Sequence, residues 1–67
     1  MTPLEQAIND RNLAEVVSIY AEAAETNRSN EEAGFLLTQA YIYALEAGDD
    51  RAGKLRWKLI GMGREKP

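Results

Sequence analysis

Between Phe35 and Ala47 the apolar positions outnumber what one face of a helix can hold. Placed at ~100° per residue, Leu36, Leu37, Ala40, Tyr41, Tyr43, Ala44, Leu45 and Ala47 fill a continuous arc of about 200°. A helix docking on a single neighbour needs a stripe of only ~100°. The pattern therefore predicts a central helix that touches two or three other elements. Phe35 and Ile42 lie outside that arc, on the side that also carries Thr38, Gln39 and Glu46.

The remaining elements follow from apolar spacing and from helix-start residues. Thr2-Pro3-Leu4-Glu5 opens a first helix: Thr2 can accept from the amide of Glu5, and Pro3 sits where a missing amide costs nothing. That helix presents Leu4, Ala7 and Ile8 on one face and should stop at Asn9-Asp10-Arg11, where polar side chains compete for backbone bonds. At about two turns it cannot stand alone and must dock. Asn12 to Glu15 repeats the capping logic for a second helix, with Leu13, Val16, Val17, Ile19, Tyr20, Ala21, Ala23 and Ala24 on one side. Glu15, Ser18, Glu22 and Glu25 take the other. The polar run Thr26-Asn27-Arg28-Ser29-Asn30 ends it. Ser29 with Glu32, or Asn30 shifted by one, caps the central helix, whose acidic first turn suits the helix dipole, and Gly48 closes it. Asp49 or Asp50 caps a fourth helix, with Ala52, Leu55, Leu59, Ile60 and Met62 inward and Trp57 at the border. Gly61, Gly63 and Pro67 predict fraying from about residue 63.

The fold class that results is all-α: four helices as two antiparallel helical hairpins in a single domain. Advancing 36 residues lays one hairpin on the other, carrying Leu4 to Ala40, Ala7 to Tyr43, Val16 to Ala52, Ile19 to Leu55 and Ala23 to Leu59. Ala40, Tyr43 and Ala52 in the second hairpin, and Tyr20 and Ala23 in the first, resemble the small and aromatic positions of the tetratricopeptide family. Leu36 stands where that family most often has tryptophan, Arg56 where it has an aromatic, and no proline closes either unit. The resemblance implies a TPR-like bundle and a peptide groove along the first helix of each pair. In this chain the groove would be lined by Leu37, Tyr41 and Leu45, with Glu5 and Asn9 beside them.

Composition narrows the function classes. Sixty-seven residues are near the lower limit for a self-sufficient core, and no Cys or His offers a disulfide or zinc staple. A second copy is therefore an expected source of stability. Without His or Cys the usual bases and activated nucleophiles are missing, so no enzyme activity and no cofactor are expected. Glu46, Asp49 and Asp50 lack the alternating ligands and glycine of a calcium loop and are read as helix-end residues, as are Glu31 and Glu32. No apolar run reaches the ~20 residues of a membrane span, and the start of the chain lacks a signal peptide's basic residues. A cytoplasmic protein is expected.

Charge is uneven along the chain. The net charge is −3, but residues 1–50 carry −8 and residues 51–67 carry +5. Attraction between the two halves, within one fold or across a dimer, is the ordinary reading. The leading functional expectation is a protein-interaction module that takes a protein partner or a second copy of itself as a homodimer, with Phe35 and Ile42 as its contact patch. The rival is nucleic-acid contact through Arg51, Lys54 and Lys58 on the fourth helix, beside Arg56, Trp57, Arg64 and Lys66. An acidic chain that would need ~6 phosphate contacts weighs against it.

Overall fold

The computed structural model describes residues 2–27 and 29–65, which form four helices: α1 (Pro3–Asn9), α2 (Leu13–Thr26), α3 (Asn30–Ala47) and α4 (Arg51–Gly61). Arg28 and Lys66, which enter the charge balance, and Pro67, which enters the expected fraying, lie outside the described residues, as does Met1. No strand occurs among the described residues.

Three helices start as their sequences predict. Thr2 Oγ1 accepts from the Glu5 amide at 3.1 Å, Asn12 Oδ1 from Glu15 at 3.3 Å and Ser29 Oγ from Glu32 at 3.4 Å. The fourth start is different. Asp50 occupies the cap position with a helical backbone and makes no side-chain cap bond, whereas Asp49 Oδ1 accepts from the Arg51 amide at 2.9 Å.

Three of the four helices, α1, α3 and α4, end by one device, whereas α2 ends at an extended Asn27. Asn12 N–H reaches the Ala7 carbonyl (2.9 Å), Asp49 N–H that of Ala44 (2.8 Å) and Arg64 N–H that of Leu59 (2.9 Å). In each case the preceding residue is left-handed: Arg11 at φ 56°, Gly48 at φ 65° and Gly63 at φ 75°. This is the Schellman closure, which satisfies the last helical carbonyls. So α1 stops by backbone closure at Arg11, and not only because Asn9 and Asp10 are poor helix formers. After α4 the chain makes a defined turn over residues 62–65, where the glycines alone predicted loosening.

Packing runs in chain order: α1 on α2, α2 on α3, α3 on α4, with α1 touching neither α3 nor α4. The core cluster is Val17 and Ala24 of α2, Leu37, Ala40 and Ala44 of α3, and Leu55 and Leu59 of α4. Tyr20 and Tyr43 stack across the α2–α3 junction, ring centres 5.9 Å apart and planes 14° from parallel. Ala7 and Val16 are buried outside that cluster. The result is an all-α bundle whose arrangement is compatible with a helical repeat.

The molecule is flat, with Cα extents of 32 × 26 × 11 Å and a radius of gyration of 11.5 Å. A compact chain of this length has a radius near 11 Å and a surface of about 4,250 Å². Here the surface is 4704 Å². The central helix does touch two others, but its outer edge was read too generously: Leu45, placed in the covered arc by the pattern, is exposed, as is Ala47, the last residue of the helix. The physical reason is that α2 and α4 both pack on the side marked by Leu37, Ala40 and Ala44, while α1 stays on α2.

Candidate functional site

The inner side of α3 is built from small residues. Ala33, Ala40 and Ala44 are buried, with Leu37 the one large buried side chain. Small residues let neighbouring helices approach, so the large apolar side chains left over must face elsewhere. Phe35, Ile42 and Leu45 are 58%, 48% and 57% exposed. At ~100° per residue these three fall within about 80° of one another, with Thr38 among them. Glu31 and Glu46, both exposed, stand on the same flank near its two ends. The whole of α3 contains no basic residue.

A second exposed anchor lies on α4, where Trp57 is 69% exposed. Gly53 and Gly61 sit four residues to either side of it on the same face, so neither of its i±4 neighbours has a side chain to cover the indole. A Cβ added at either glycine would meet nothing. Lys54 and Lys58 are exposed beside it, and α4 holds no acid. The sequence pattern had put Trp57 at the border of the inward face; the two flanking glycines were the available sign that it points out.

The peptide-groove residues separate. Leu37 belongs to the core, Tyr41 is half-buried against it, and Leu45 is exposed. They do not form one open trough, and α1 does not reach them.

Nor do the basic residues of α4 form a free stripe. The Arg51 guanidinium donates to both Asp49 carboxylate oxygens, from Nε at 3.0 Å and Nη2 at 2.7 Å. It also donates to Ser18 Oγ at 2.7 Å and to the Ala14 carbonyl at 2.9 Å, tying α4 to α2. The arginine holds the Asp49 carboxyl down at about 2, and the carboxylate raises Arg51 further above its ordinary value. Lys58 Nζ lies 3.6 Å from Glu25 on α2, an exposed pair. Lys54 stays outward.

An open hollow of about 350 Å³ lies between the start of α3 and the end of α4, lined by Asn30, Glu31, Gly61, Met62 and Arg64. Arg64 lies over Gly34, where a Cβ would collide with its Nε, and Nη2 donates to the Glu31 carbonyl at 3.4 Å. Of its lining residues only Glu31 and Arg64 carry charge, and the contact between them runs from the guanidinium to the Glu31 backbone carbonyl. Among the described residues no group of three metal-ligating side chains forms, and no helix is long and apolar enough to cross a membrane. Comparison with protein-family models, with curated proteins and with solved structures finds no match.

Proposed function

We propose that this chain is a small, non-catalytic helical module of the cytoplasm that binds another protein, a second copy included, through the outer flank of α3. One observation carries the reading: Phe35, Ile42 and Leu45 line up on a single exposed flank of a helix that already packs on two neighbours. Scattered exposed hydrophobes are ordinary on a soluble protein, whereas an aligned group rimmed by polar residues is the usual mark of a contact surface. The tetratricopeptide-like reading gains support from the hairpin turns. Arg11 and Gly48, 37 residues apart where the helices overlay at 36, are both left-handed, and Asn12 and Asp49 each accept from the first turn of the following helix.

A photo-crosslinking amino acid at position 42 tests the contact surface in cells. Position 42 should yield discrete adducts, and the same group at exposed Glu22 on α2 should not. Equal labelling from both positions, or none from either, would remove the proposal.

A further inference from the structure

We infer that the occupant of the α3 flank is α4 of a second copy, with Trp57 as the anchor; this rests on the contact-surface reading above. The argument begins with charge. Within their helical spans α1, α2 and α3 contain acids and no bases, whereas α4 contains four bases and no acid; Arg51 and Lys58 already face Asp49 and Glu25 of the same chain, and Lys54 stands exposed beside Trp57. A second copy presenting α1, α2 or α3 to the flank between Glu31 and Glu46 would bring like charges together. Only α4 brings opposite ones, and juxtaposed like charges disfavour the alternatives more strongly than attraction rewards the match.

Shape selects the same pair. Across the Gly53-Trp57-Gly61 face a partner helix meets one large knob between two positions without side chains. The α3 flank offers the counterpart: Phe35, Ile42 and Leu45, with the shorter Thr38 among them. Trp is the residue most often found to dominate a contact when it enters such an apolar setting. Both surfaces are uncovered in the single chain, and each supplies what the other lacks. Because the joined elements differ, copies close into a dimer when both contacts form together, and otherwise add head to tail.

Sedimentation of the full chain over rising concentration tests the pairing. The wild type should associate, less so at high salt. Trp57→Ala should weaken association about tenfold or more. Ile42→Glu should do the same, and Leu45→Glu provides a second flank variant should Ile42→Glu lose its helical circular dichroism. Mixing Trp57→Ala with the flank variant should then recover a complex, since one partner keeps an intact α3 flank and the other an intact α4. No recovery on mixing, or association that ignores Trp57→Ala while a flank variant abolishes it, overturns the assignment to α4 and leaves the contact surface standing. A wild type that stays monomeric to about 1 mM overturns the inference as well. Adducts to other proteins from position 42 would then preserve the broader reading, and their absence would end both.

Discussion

Arg11 carries a side chain in a backbone region that suits glycine. Its φ of 56° closes α1, and the equivalent closures after α3 and α4 use Gly48 and Gly63. A left-handed residue with a Cβ costs about 1–2 kcal/mol, part of which glycine returns through the greater freedom of its unfolded chain. Arg11→Gly should therefore raise stability by about 0.5–1 kcal/mol in urea unfolding. Asp49 makes a statement about pH instead. With its folded value depressed to about 2, it stabilises the fold above the ordinary carboxylate range near 4. That contribution is lost as pH falls through the interval from about 4 to about 2. Asp49→Asn should lower stability at neutral pH and flatten the acid limb of a pH–stability curve in that window. A limb of unchanged slope would mean that other carboxylates govern acid unfolding.

The four helices differ in how much supports them. α1 has seven residues and packs only on α2, so it should open without the rest. Hydrogen exchange should find its amides the least protected helical ones, with α2 and α3 exchanging near the global unfolding limit. Helix existence and order were legible in the sequence because capping and period agree locally: Thr2, Asn12 and Ser29 each cap the helix their spacing announces. The covered sides were legible where neighbours are sequential, as at Val17, Leu37 and Leu59. For Trp57 the only sign was the glycine four residues to either side, and the exposure of Leu45 was not legible, since it depends on where α1 sits and on which side α4 approaches. Those are tertiary facts that a 3.6-residue period does not contain. The ties of Arg51 were illegible for a related reason: nothing local indicates that its guanidinium reaches from the start of α4 to Ala14 and Ser18 on α2.

At the scale of the whole molecule, one small core supports everything. Leu59 lies in the cluster shared by α2, α3 and α4, so Leu59→Ala should cost about 2–5 kcal/mol. For a domain of this size such a loss should abolish the cooperative thermal transition. Trp57→Ala, larger in volume but outside the core, should leave that transition within about 0.5 kcal/mol of wild type in dilute solution. The flatness of the chain carries a last implication. In a plank whose Cα atoms span 11 Å in depth, no side chain stands far from water, and none of the described polar ones is buried. Charges on either broad side are therefore screened by water unless something lies on top.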